Sequence, residues 1–311
     1  MAHALTPRRE SSPVRVVVLA NCASGVGAAR EERSKAILAA FQATGLDPDV
    51  RCAEGADLPG AARQAIEEGA RTVVAAGGDG TVSAVAGAVA GTSATLGVLP
   101  LGTLNHFARD AGIPLDLAKA AQAVATGVSR RVDVAEVNGR VFVNNSSIGL
   151  YPRAVRERAR LQPATQSKRL AMAGAAWAVL RRLPSHRVIL TIDGHPERRT
   201  TPCVFVGNNP YDTAFGRLGR RAALDTGRLG VYTIRRPSRL AVLALTARAL
   251  AGRLDHARGF EAIEADALTV ASVHRRTIRV ALDGEVARME MPLRYRSRPG
   301  ALRLVAPERA P

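Results

Sequence analysis

The chain has 311 residues, enough for one large domain or two of ordinary size. Apolar residues make up 47% and aromatics 4%, and 44 Lys and Arg against 27 Asp and Glu give a formal charge of +17, which favours phosphate-rich partners: nucleotides, nucleic acid or an anionic membrane. The longest apolar stretch of interest, 170–180, is 11 residues where a membrane span needs roughly 20, the N-terminus lacks the apolar core of a signal peptide, and Cys22, Cys52 and Cys203 form no CxxC pair, so a reducing cytoplasmic setting with no disulfide framework and no zinc site is expected.

Strands and helices alternate in the first half. VRVVVLA (14–20) reads as a buried strand, with helical pattern from about 28 to 44. A short strand is expected at 49–52 and a helix over about 60–68. RTVVAA (71–76) is the next strand, with helix after Thr81, then strand 94–100 and helix 115–127. Such alternation predicts a parallel sheet covered on both faces, with ligands beyond the carboxyl ends of its strands.

The pattern changes near Arg130. Apolar runs flank Asn138-Gly139 and again Asp193-Gly194, both strong hairpin signals. Further strands are expected over 228–236 and in ALTVAS, TIRVALDGE and ALRLVAP, with helical insertions at about 152–183 and 238–254. The reading is therefore an α/β domain over 13–130 and a mostly antiparallel β domain over 131–311, whose last strand is free to return to the first domain.

Three loops at the carboxyl ends of the first-half strands carry chemistry. GGDGT (77–81) puts one acid among glycines that let backbone approach a ligand closely. N–H groups at such a turn and at the following helix start attract anions. Asp79 cannot hold phosphate directly, since like charges repel. It fits beside phosphates if Mg²⁺ lies between them or if it orients a hydroxyl. The plainer alternative is a tight turn with Asp79 capping the helix. NCASGVG (21–27) and PLGTLNHFARD (100–110) add Ser24, Gly25, Gly102, Thr103 and Asn105 at the same edge. The spacing is neither G-x-G-x-x-G nor G-x-x-x-x-G-K-[ST], so neither a dinucleotide fingerprint nor the usual P-loop is supported.

GGDGT, PLGTLNHFARD, NCASG and the late LDGE (282–285), in this order, resemble the diacylglycerol kinase catalytic-domain family, which includes bacterial lipid kinases and sphingosine kinases. GGDGT alone is shared with NAD kinases and phosphofructokinases; the combination is more specific. The resemblance implies an N-terminal nucleotide domain of NAD kinase/phosphofructokinase type, a C-terminal β-sandwich, and an active site in the cleft between them. It implies ATP and Mg²⁺ as cofactors. Asn21, Ser24 and Gly25 match the first ATP loop, Gly77, Gly78, Asp79, Gly80 and Thr81 the central one, and Thr103 and Asn105 the third. Asp283 and Glu285 match the acidic pair, one of which takes the proton from the lipid hydroxyl. Read alone, Asp283-Gly284 is a hairpin turn.

Departures from the family pattern affect the metal. His106 stands where many members have aspartate, and Thr226 replaces the second acid of a loop that can hold a structural metal. Asp79 and Asp133 remain as the expected metal-side acids. The segment 152–187 pairs an apolar stripe of Leu170, Ala173, Trp177 and Leu180 with many arginines, which fits a helix at a membrane surface or a helix packed on the sandwich. The expectation is an ATP-dependent lipid kinase acting on diacylglycerol or a related lipid. It is peripheral to an anionic membrane, has no nucleic-acid partner, and admits a homodimer. A kinase for a soluble hydroxyl of NAD or sugar type and a non-catalytic surface binder stand as alternatives.

Overall fold

The computed structural model describes residues 15–22, 28–149, 185–212, 219–235, 259–272 and 274–308. The two expected helical insertions, and with them the Trp-bearing basic stripe, lie outside the described residues, as do Ser24 and Gly25.

The first half runs β1 (Val16–Asn21), α1 (Ala28–Gln42), β2 (Asp49–Ala53), α2 (Leu58–Glu67), β3 (Thr72–Gly77), α3 (Asp79–Val89), β4 (Thr95–Pro100), α4 (His106–Asp110) and α5 (Leu117–Thr126). Strands β1, β3 and β4 are continuous apolar runs because helices cover both faces of the sheet. They pair in parallel in the order β2-β1-β3-β4. Phe41, Leu58 and Phe107 close the core around them at 0–1% exposure, the large side chains of an otherwise small-residue interior.

The second half supplies β5 (Val128–Val137), β6 (Arg140–Phe142), β7 (Asn145–Gly149), β8 (His186–Ile192), β9 (His195–Thr201), β10 (Cys203–Asn208), β11 (Leu229–Ile234), β12 (Phe260–Ala265), β13 (Ala267–Ala271), β14 (Thr277–Leu282), β15 (Glu285–Glu290) and β16 (Leu293–Ala306). Three hairpins turn on Asn138-Gly139, Asp193-Gly194 and Asp283-Gly284, each pair at positive φ, the geometry that matches strand twist. Six strands form one antiparallel sheet, β12-β11-β10-β7-β14-β15.

Strand β16 crosses the boundary between halves. It pairs antiparallel with β13 and β5, and parallel with β4 through Arg303↔Thr95 and Leu304↔Leu96. The parallel sheet therefore continues as one ten-stranded sheet into the second half. A second core, with Phe142, Ile148, Leu190, Leu268 and Tyr295, fills the space between the two sheets. The architecture is an α/β domain followed by an antiparallel two-sheet domain, as the alternation and the hairpin signals predict. Among the described residues no helix is long and apolar enough to cross a membrane.

Candidate active site

The end of β3 and the loop after β4 are packed backbone to backbone. A Cβ on Gly102 would lie 2.5 Å from Gly78 Cα, and one on Gly77 would lie 2.3 Å from Thr81 Oγ1. Glycine is required at these positions by packing as well as by any ligand. Asn105, left-handed at φ 50, spends its amide on this loop: Oδ1 accepts from Gly102 N, and Nδ2 donates to the Gly102 and Pro100 carbonyls. Thr103 stays exposed. Asn21 Nδ2 donates to Thr81 Oγ1 at 3.1 Å, joining the end of β1 to the central loop. Gly78, not Asp79, caps α3, and Asp79 Oδ1 accepts from Phe107 N at 3.2 Å in the first turn of α4. The carboxylate thus lies between the central loop and the start of α4.

The acidic hairpin forms the opposite wall. Asp283 holds the turn by accepting from the backbone N–H groups of Val143, Asn144 and Asn145, each at 2.8 Å, and from Ser83 Oγ on α3. Burial pushes its carboxyl above the ordinary carboxylate range, while Ser83 and the three N–H groups pull it back. Glu285 is exposed, and a Cβ added to Gly80 would lie 3.6 Å from its Oε1. Glycine at 80 therefore keeps the wall of α3 open opposite Glu285. Gly80, Ser83, Ala84 and Gly87 recur at helical spacing and line a cleft of about 470 Å³, while Val82, Val85 and Val89 face the core. Gly55 and Ala56, after β2, complete the far side. Asp283 and Glu285 thus share one cleft with the helix that follows GGDGT.

An apolar cavity of about 370 Å³ lies in the second domain, with His106 of the first domain in its lining. Phe205 meets Tyr211 and Tyr232 edge-on at 5.7 and 5.8 Å, and Tyr232 stacks on Phe260 at 6.0 Å. Burial pushes the Cys203 thiol up to about 12, so it lines the cavity as a neutral, apolar group. His106 and Asn145 bring polar atoms to the same lining. Asn145 also donates its N–H to Asp283, which ties the cavity to the acidic turn.

Arg221 and Asp110 join the domains here. The guanidinium, fully buried, donates to Asp110 Oδ2 at 2.8 Å and to the Val143 carbonyl, the Asn208 carbonyl and Asn144 Oδ1. It also lies 5.5 Å from the Tyr211 ring centroid.

Asp133 is 2% exposed, and its oxygens accept from Gly227 N, Gly300 N and Asn209 Nδ2, so it fastens three loops. One expectation is corrected. Cys22 and Cys52 form a disulfide, Cα–Cα 5.8 Å, because the parallel pairing of β1 and β2 sets their ends side by side. Among the described residues no group of three or more His, Cys, Asp or Glu could hold a metal unaided. A nucleotide-borne Mg²⁺ asks for less, one or two carboxylates with the rest from phosphate and water, and Asp79, at the start of α3 with a single backbone N–H on its Oδ1, fits that need. Sequence reasoning missed Ser83, Gly55, Ala56 and Arg221. The spacing of Ser83, four residues after Asp79, was a usable signal for the first; the others depend on contacts remote in sequence.

The comparisons agree with this geometry. The family model described as "Diacylglycerol kinase catalytic domain" matches residues 15–137, and that described as "YegS C-terminal NAD kinase beta sandwich-like domain" matches 144–306. A protein of Pseudomonas syringae pv. syringae (strain B728a), named "Probable lipid kinase YegS-like", is 31% identical over 275 residues, 86% of each chain. The "Diacylglycerol kinase" of Bacillus subtilis (strain 168) is 40% identical over 112 residues, 35% of this chain and 37% of that one. Two solved structures from Bacillus anthracis str. Sterne, both under diacylglycerol kinase names, superpose with TM-scores of 0.73 and 0.66 at 21% and 18% identity, covering 94% of this chain and 97% of each. These matches define an enzyme of the lipid kinase class. The chain belongs to the diacylglycerol kinase catalytic-domain family, with the YegS-type second domain.

Proposed function

We propose that this enzyme transfers the γ-phosphate of ATP to a hydroxyl of a membrane lipid, diacylglycerol or a close relative. The main support is the meeting of α3 and the acidic hairpin across one cleft, with Asn145 linking that hairpin to the lining of an apolar cavity. In this reading the nucleotide lies along the small-residue face of α3, with its phosphates at the N–H groups of 77–81. Mg²⁺, held by Asp79 together with phosphate oxygens and water, would neutralise charge on the transferred group. The acyl part occupies the apolar cavity and presents its hydroxyl at the His106 and Asn145 end. Glu285 is exposed and has room to take the hydroxyl proton. Asp283 acts as a positioning group, since four donors already occupy its carboxylate.

The experiment is incubation of purified protein with ATP, Mg²⁺ and a total lipid extract, beside a panel of NAD and sugars, followed by mass spectrometry of products. A phosphorylated lipid is expected. Label on soluble compounds alone would overturn the acceptor class. Asp79→Asn is expected to abolish turnover with the circular dichroism spectrum unchanged; near-normal kinetics would remove Asp79 from the mechanism. Peripheral binding to anionic membrane, through the charge of +17, is part of the same reading and is read by cosedimentation with anionic vesicles.

A further inference from the structure

A second polar pocket, of about 410 Å³, lies at the start of β8 and β14. Strand β14 runs from this pocket to the acidic turn. At a rise of about 3.3 Å per residue, its six residues separate the two sites by roughly 20 Å. Its chemistry is one-sided. His186, Arg187, His274 and Arg275 line it with the hydroxyls of Ser185 and Ser272, and no Asp or Glu is among the lining residues.

Elsewhere among the described residues of this domain some arginines are matched by acids, Arg199 with Glu261, Arg228 with Asp266 and Arg296 with Glu136, and others such as Arg279 and Arg294 are not. Among the described residues neither Arg187 nor Arg275 has an ion-pair partner. His186 Nε2 is buried with no hydrogen-bond partner, a state that native proteins rarely leave uncompensated. Burial, and then the charge of Arg275, hold the His186 imidazole below its ordinary range. A bound anion would relieve both strains by accepting from Nε2 and by screening the guanidinium.

The donor set selects the anion. Two guanidinium forks, two imidazoles and two hydroxyls offer more donors than the two oxygens of a carboxylate can accept, whereas the several oxygens of a phosphate suit them. The volume exceeds that of a bare phosphate and leaves room for an ester substituent.

We propose that the pocket formed by His186, Arg187, His274 and Arg275 binds a phosphate ester at a site separate from the phosphotransfer cleft. Both a lipid headgroup and a free phosphate ester carry this chemistry. The inference does not depend on the acceptor assigned above.

The test follows the histidine ring resonances of the full chain by NMR during titration with inorganic phosphate. Cosedimentation with phosphatidylglycerol and with phosphatidylcholine vesicles runs in parallel. Saturable shifts of His186 and His274 are expected. Arg275→Gln should weaken phosphate binding about fivefold, and Arg187→Gln with Arg275→Gln by roughly 25-fold. Both side chains are exposed, so these variants keep the fold, which the dispersion of the same spectra checks. An equal loss on phosphatidylglycerol vesicles assigns the site to a headgroup. Unchanged vesicle binding with lost phosphate affinity assigns it to a free ester. Wild-type ring resonances unmoved by phosphate, or a double variant that binds phosphate like the wild type, overturns the proposal.

Discussion

Replacing Asp110 by asparagine removes one charge from a buried pair without changing volume. Arg221 is 0% and Asp110 7% exposed, so the remaining guanidinium would stay buried with no counter-ion among its contacts. Breaking such a pair from one side costs about 3–5 kcal/mol. Here Arg221 keeps three oxygen acceptors and the Tyr211 ring, which places the expected loss near the lower end, about 3 kcal/mol. That is a large share of a typical stability of about 5–15 kcal/mol. Because Asp110 ends α4, which begins at His106, the loss should also raise the KM of the lipid acceptor. Urea unfolding of the wild type, Asp110→Asn, Arg221→Met and the double variant measures the effect. The double variant should cost less than the two singles added, since removing the cation also removes the reason the acid was needed. A change within about 0.5 kcal/mol for Asp110→Asn, the range of an ordinary surface substitution, would refute this account of the domain junction.

Three further outcomes are expected. Reducing the Cys22–Cys52 bond, or replacing Cys22 by serine, opens a loop spanning 30 residues of separation and should lower stability by about 3–4 kcal/mol, read from unfolding with and without a dithiol. Cys203, with its thiol raised to about 12, should resist iodoacetamide at pH 8 in the folded protein and react on unfolding; rapid labelling of the native state would contradict its burial. Gly102→Ala should lower stability by about 1–3 kcal/mol, because its Cβ would meet the Gly78 backbone at 2.5 Å, and should slow turnover further by parting the two loops; an unchanged melting temperature would show that the loops can separate freely.

Much of the site's location is legible in the residues, but the roles within it are not. GGDGT and PLGT announce close backbone approach, and Gly77, Gly78 and Gly102 are packed as such residues must be. Asn105 looks like a ligand amide, yet its own loop consumes it. LDGE read alone is a hairpin turn, and only the family resemblance makes it an acid pair; the φ values of Asp283 and Gly284 make the hairpin, and Asp283 fastens it to β7. Asp133 and Arg221 carry no local signal because every partner they have is far away in the chain.

Elements and turns follow from local chemistry: short Val- and Ala-rich runs bounded by turn residues and alternating with helical patterns read as strands buried on both faces, and Asn-Gly and Asp-Gly supply the positive φ of hairpins. That Ser83 meets Asp283 across 200 residues, that Glu285 is the acid left exposed, and that Cys22 and Cys52 bond all follow from long-range packing. Periodicity and turn chemistry act over a few residues. Which loops converge, and which polar groups are thereby satisfied or left free, depends on how distant strands such as β4 and β16 come to share a sheet.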